Sequence, residues 1–401
     1  VKLHDYQVLQ RGPDDKAHVT LDTGETLELP TGGPYEVGGA KNVLVGDLWV
    51  LVGQSNMEGV GDLMEVETPH PLVHSFQSRE EWAPAEEPLH WLNESPRPIH
   101  HRIWGLPMPM EIAPRDPART KGAGLGLSFA KARVEQTGVP IGLVPAAHGG
   151  TSMQQWEPSR KAMGGDSLYG ATLERVKAVG GKVAGLLWYQ GESDANPADA
   201  ALYEGRMTEL VQSFRADFGQ PELPFYYVQL GGFVYEPDPV AIQSWNRIRE
   251  LQRTWQSTAP NVAMVSAIDL GLDDLIHIDT PGLKALGRRL AAVASGHPAP
   301  ALQSTLYEPA QNQIRVVFDN IQGRLQSLGR PTGFSLRDAD GTEVTLVYKV
   351  AFDGSVALLK LNEGISPMGL SLWYGYGLAP YCNLTDSTGA SVPAFGPMSL
   401  G

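Results

Sequence analysis

Cysteine is almost missing from this sequence: Cys382 is the only one in 401 residues. One thiol excludes an intrachain disulfide and any cysteine-built metal cluster. Long hydrophobic runs are missing too, with no stretch of about 18 apolar residues that reads as a membrane-crossing helix. Positive charge is scarce: 31 lysines and arginines stand against 45 aspartates and glutamates, a formal net charge of −14. Nucleic-acid affinity comes largely from phosphate neutralisation, so this balance argues against that partner and for neutral substrates. The 42% hydrophobic and 19% charged fractions are ordinary for a globular protein, and the length suits two domains.

What is present is organised around residues 43–59. Val43, Leu44 and Val45 are followed by a Gly46-Asp47 break and then by Leu48, Trp49, Val50, Leu51 and Val52. Such a run, without polar alternation and bounded by glycine, reads as a parallel strand buried on both faces. It ends in Gly53-Gln54-Ser55-Asn56, suited to a tight turn at the strand's C-terminal end, the rim where open α/β sheets bind ligands. Ser55 is there either a nucleophile or a helix N-cap.

Residues 1–42 hold short β-type pieces separated by turns, too little for an independent core. The segment from 62 to 120 is an insert with ten of the 31 prolines and five of the ten histidines, together with Trp82, Trp91 and Trp104. Regular elements are hard to build at that proline density, so the insert reads as an ordered flap. His70 and His74 are four apart, but Pro69 and Pro71 oppose the helix that would align them as metal ligands; they read as surface or cleft histidines. Gly122, Gly124 and Gly126 open an amphipathic helix to 137 and lack the strand and spacing of a dinucleotide loop. Strands at 139–145, 183–189, 224–230 and 262–268 then alternate with helices at 197–218, 241–257 and 281–294, the pattern of βαβ units and a mainly parallel sheet. Pro298 and Pro300 mark a linker. Beyond it, 301–401 reads as a small β domain, with 1–42 as its natural packing partner and 43–298 as the catalytic domain.

Acyl transfer needs a nucleophile, a base, a group that fixes the base's tautomer, and donors facing the developing oxyanion. Ser55 can be the first. His277 can be the base, since Asp274 lies three residues earlier on what reads as one turn; Asp273 and Asp279 are rival acids. Two further strand ends carry polar loops, His148-Gly149-Gly150-Thr151-Ser152 and Gln190-Gly191-Glu192.

These blocks, Gly53-Gln54-Ser55-Asn56-Met57, His148-Gly149-Gly150-Thr151-Ser152, Trp188-Tyr189-Gln190-Gly191-Glu192 and Asp274-Leu275-Ile276-His277, resemble in that order those of SGNH-type carbohydrate esterases, in particular the sialate O-acetylesterase-like group. The resemblance implies a parallel sheet flanked by helices with a small accessory β domain. It implies Ser55 as nucleophile, His277 as base and then acid, Asp274 as its orienter, and an oxyanion hole from the Ser55 N–H, a glycine N–H (Gly150 ahead of Gly149) and the Gln190 side-chain amide. Gln54, Asn56, Gly149, Thr151 and Glu192 are candidate supporting or substrate-binding positions. Trp156, Trp82, Trp91 and Trp104 are candidate sugar-stacking surfaces, or simply core. No metal or organic cofactor is required, and the expected partner is an acetylated carbohydrate, with acetylated xylan or xyloglucan ahead of sialic acid. A lipase or thioesterase on the same scaffold, and an inert carbohydrate-binding protein, are the alternatives. A secreted or periplasmic location is an expectation from the resemblance alone.

Overall fold

The computed structural model describes residues 1–103, 105–108, 114–362 and 366–400. Its axis is the strand Ala40–Gly53, buried without interruption from Val43 onward. Its second half lies between two parallel neighbours, Ile141–Pro145 (Val144 opposite Val50) and Gly185–Tyr189 (Tyr189 opposite Gly53). Phe225–Gln229 and Val262–Ser266 extend the sheet on one side, Val73–Phe76 and Trp82–Pro84 on the other. The next strands in sequence add to opposite sides of the central one, so its C-terminal end is a topological switch point where the following loops part and leave a crevice.

Helices Gly126–Thr137, Leu168–Ala178, Tyr203–Asp217, Pro239–Trp255 and Thr280–Ala294 flank the sheet. Their starts follow local chemistry. Asp238 and Asp279 cap theirs by accepting from Ala241 N and Gly282 N, each with proline in the first turn. Gly126 is a packing glycine: a Cβ there would meet Leu51 Cδ1 at 2.6 Å. Among the described residues, no helix is long and apolar enough to cross a membrane.

Two expectations need correcting. The proline-rich insert is not a flap outside the sheet. Val73–Phe76, wholly buried, pairs in parallel with Ile141–Leu143, and Trp82–Pro84 closes that edge antiparallel to it. Buried Arg175 donates to the carbonyls of Phe76, Gln77 and Ser78, satisfying the chain as it leaves the sheet. Prolines at 69, 71, 84 and 88 bracket these strands and leave room for short regular pairing between them.

The N-terminal strands were expected on the C-terminal β region. Val8–Gln10 pairs in parallel, and Gly32–Val37 antiparallel, with the first half of the central strand. Leu3, Leu9, Ala17, Val19 and Leu21 share a small core with Ala40, Val43 and Val45. Arg11 locks this module to Asp47 through Nε at 2.7 Å. The break at Gly46-Asp47 is thus a crossing point between two environments of one strand. There a Cβ on residue 46 would lie 1.9 Å from Pro140 O.

The C-terminal region forms antiparallel sheets, Ala301–Glu308, Gln313–Asp319, Val356–Leu361 and Val347–Asp353 in one, Phe334–Arg337, Ser371–Tyr374 and Phe395–Ser399 in another, around their own apolar core. It docks on the helix Pro239–Trp255, where buried Arg249 donates to the carbonyls of Gly375 and Leu378.

Candidate active site

Gly53 ends the central strand at φ +134°, and a Cβ there would sit 2.2 Å from Tyr189 O. Only glycine allows this close approach. Gln54 N–H then donates to Tyr189 O at 2.9 Å, and the chain turns into the short helix Ser55–Glu58. Ser55, half-buried, opens that helix, so its N–H has no intrahelical acceptor.

The histidine loop folds on its own aspartate. Asp274 Oδ1 accepts from the Ile276 and His277 N–H groups at 2.9 and 2.8 Å, while Oδ2 faces His277 Nδ1 at 2.7 Å. One carboxylate fixes both the turn and the ring tautomer, and Nε2 is left as the working nitrogen. Partial burial opposes ionisation of Asp274, but these bonds hold its carboxyl below the usual range. The rival acids are committed elsewhere: Asp273 accepts from Asp62 N at 2.7 Å, and Asp279 caps the following helix.

Asn56 joins the two loops. Its amide donates to Glu192 Oε1 (2.8 Å) and Ile276 O (3.3 Å), and its oxygen accepts from Ile278 N (2.9 Å). Residues 55 and 277 thereby line one open pocket of about 480 Å³, together with Glu58, Gly149, Gly150, Glu192 and Ile276. Glu192 acts through this bridge. Burial raises its carboxyl above the usual range, opposed by the Asn56 hydrogen bond and by nearby His277.

The glycine loop is held from below and from the side. His148 Nδ1 lies 2.9 Å from His100 Nδ1, and His90 Nε2 accepts from Ala147 N at 3.2 Å. All three histidines are buried, as are His101 and His74, the last of which was expected at the surface or in the cleft, while His70 is half-buried. Burial holds His148 down at about 4 and His90 at about 3, so they are neutral hydrogen-bonding struts. Gly149 N–H donates to Glu58 Oε2 at 2.6 Å, and the Gly150 N–H has no acceptor among the described residues. Glu58 stands one helical turn beyond Ser55, just past the block that ends at Met57, where spacing alone gives it no signal. Burial lifts its carboxyl to about 7, against the Gly149 hydrogen bond and Arg119.

Gln190 does not fill the role expected of it. It is fully buried, and its amide nitrogen donates to Asp194 Oδ2 (2.5 Å) and Thr151 O (3.1 Å), which uses both N–H hydrogens and turns the group away from the pocket. Gln54, largely buried, lines the pocket, and its side-chain oxygen accepts from Ser193 N–H at 3.3 Å. Thr151 is a structural link whose hydroxyl donates to His148 O and accepts from Trp156 Nε1.

Three of the four expected sugar-stacking tryptophans are not available either. Trp156 is fully buried, edge-on to Trp188, and Trp82 is buried in the main core. Trp91 already has the Arg115 and Arg119 guanidinium groups over its ring at 4.8 and 4.6 Å. Trp104 lies outside the described residues.

Residues 45–295 match the family model described as carbohydrate esterase, sialic acid-specific acetylesterase. A probable carbohydrate esterase of Arabidopsis thaliana is 31% identical over 261 residues, covering 61% of this chain and 88% of the relative. The human sialate O-acetylesterase is 25% identical over 292 residues, 60% of this chain and 53% of its own length. Among solved structures, a carbohydrate acetylesterase from Xanthomonas citri matches in fold with a TM-score of 0.71 at 24% identity, covering 98% of both chains. The family match takes in the serine turn, the glycine loop and the histidine loop together, and the chain therefore belongs to the carbohydrate esterase family described as sialic acid-specific acetylesterases.

Proposed function

We propose that the protein is a serine esterase that removes O-linked acetyl groups from neutral carbohydrates through an acetyl-enzyme. The observation that carries this is Ser55 and His277 lining one pocket, with Asp274 Oδ2 2.7 Å from the far side of the imidazole. His277 Nε2 takes the Ser55 proton as Oγ attacks the acetyl carbonyl. The oxyanion is met by the Ser55 and Gly150 N–H groups, and the sugar hydroxyl leaves with the proton from His277. Water, deprotonated by the same nitrogen, then attacks the acetyl-Ser55 carbonyl and releases acetate. With the Gln190 amide turned away these two backbone donors carry the oxyanion, and losing one such donor typically costs about 10²–10³ in rate.

Neutral sugars are favoured because no lysine or arginine lines the pocket among the described residues, whereas Glu58 and Glu192 do. The carboxylate of a sialic acid would find no cationic partner there. Acetylated xylan or xyloglucan fragments are the preferred substrates, and a secreted or periplasmic location suits a polymer. The second reading, a sialate O-acetylesterase, has the family description and the human relative in its favour. Acetate release is to be measured across acetylated xylo-oligosaccharides, xyloglucan fragments and O-acetyl sialate, with Ser55→Ala in parallel. We expect fastest turnover on the neutral glycans and a loss of about 10³-fold or more in Ser55→Ala. Equal rates for the two proteins would remove the nucleophile; faster turnover on the sialate would replace the substrate.

A further inference from the structure

With Trp82 and Trp156 buried and Trp91 roofed by arginines, exposed aromatic surface next to the histidine loop comes from another segment. After the sheet strand Phe225–Gln229, the chain runs over the rim as Phe233-Val234-Tyr235. The Phe233 ring stacks on buried Trp245 (centroids 5.0 Å apart, planes at 24°), and Tyr235 stacks on Phe233 (5.2 Å, 9°). Three rings thus lead from the core to the solvent, and the outermost is 61% exposed. Val234 N–H donates to Leu275 O at 2.7 Å, and Phe233 N–H to Leu378 O at 2.9 Å. Leu275 is itself exposed and stands two residues before His277, a span of at most about 7 Å along the chain. The stack is therefore stitched to the loop that carries the base.

We propose that Tyr235 is a sugar-stacking subsite beside the ester pocket, taking the pyranose next to the acetylated residue of an oligosaccharide chain. This rests on the esterase reading and narrows its substrate to a chain of sugars. The electron-rich face of an aromatic ring suits the C–H face of a pyranose. The ring is already held parallel to Phe233, so little side-chain freedom is lost when a sugar settles on it. Leu275 supplies an apolar neighbour.

The test compares wild type, Tyr235→Ala, Tyr235→Leu and Tyr235→Phe on acetylated xylo-oligosaccharides and on 4-nitrophenyl acetate, with melting temperatures alongside. Loss of the flat ring should raise KM for the oligosaccharides about tenfold in the alanine and leucine variants. Their kcat, and all constants on the aryl ester, should stay at wild-type values, and Tyr235→Phe should match wild type throughout. An unchanged oligosaccharide KM in Tyr235→Ala, or a wild-type KM in Tyr235→Leu, overturns the stacking subsite and leaves the esterase intact. A wild type that hydrolyses neither substrate overturns the esterase reading, and the subsite with it.

Discussion

Asp274 spends one oxygen on two backbone N–H groups and the other on the His277 ring. Those tasks separate under substitution. In Asp274→Asn the amide oxygen can still accept the backbone bonds, so the turn should persist. The amide nitrogen would then face Nδ1 as a donor and select the wrong tautomer. We expect kcat to fall by about 10²–10⁴ with the melting temperature nearly unchanged; a kcat within threefold of wild type would dismiss Asp274 as the orienter. This pair was legible in the sequence because three-residue spacing on a turn is a local matter. Gln190 was not, because its direction is decided by Asp194, a buried carboxylate four residues on that claims the amide first. Nor does an indole announce in sequence whether it is enclosed, as Trp156 is, or roofed by arginines, as Trp91 is.

Between elements, the decisive contact is made by a side chain of modest size. Asn56 ties the serine helix to Glu192 and to both sides of His277. Asn56→Ala should leave the Ile278 N–H unsatisfied in a buried place, costing about 1–3 kcal/mol, and let the imidazole drift. A displacement of about 1 Å at a reacting group can cost about 10²-fold, so kcat should drop by that order while KM for a small aryl ester changes little. An Asn56→Ala enzyme with full kcat would show that the loop holds itself. The alternation of strand and helix from 139 to 294 could be read directly, since each element is long and uniformly patterned. In the insert the prolines mask the brief buried run Val73–Phe76, and the N-terminal pieces pair with the opening half of a strand whose closing half forms the sheet core, a division that local pattern does not show.

Across the whole molecule, burial of ionisable groups sets how stability depends on pH. His74 and His148 are held at about 4 and His90 at about 3, against an ordinary 6.5, and burial pushes His100 well below it too. Below 6.5 the unfolded chain takes up protons that the fold refuses, so these histidines cost stability as pH drops from there. Burial lifts Glu58 to about 7 and Glu87 to about 8, from an ordinary 4.5. The fold therefore keeps protons that the unfolded chain releases, and stability falls as pH rises through that range. Below 6.5 the four histidines are opposed by these two glutamates and by Glu192 and Asp194, whose carboxyls burial also raises, so the two effects offset; above 6.5 the carboxyls act alone. The melting temperature should therefore lie about 5 °C lower at pH 8 than at pH 6.5. Glu87→Gln should flatten the alkaline side, and a profile level between those two pH values would contradict the burial of these carboxyls.

The shared strand Ala40–Gly53 has a practical corollary. The family match begins at Val45, inside that strand and close to where it changes partners. A gene trimmed to the family boundary would cut the polypeptide in mid-ladder, discarding Val8–Gln10 and Gly32–Val37, stripping Val45 and Gly46 of their partners and depriving Asp47 of Arg11. A minimal enzyme cut there should melt well below the 401-residue chain.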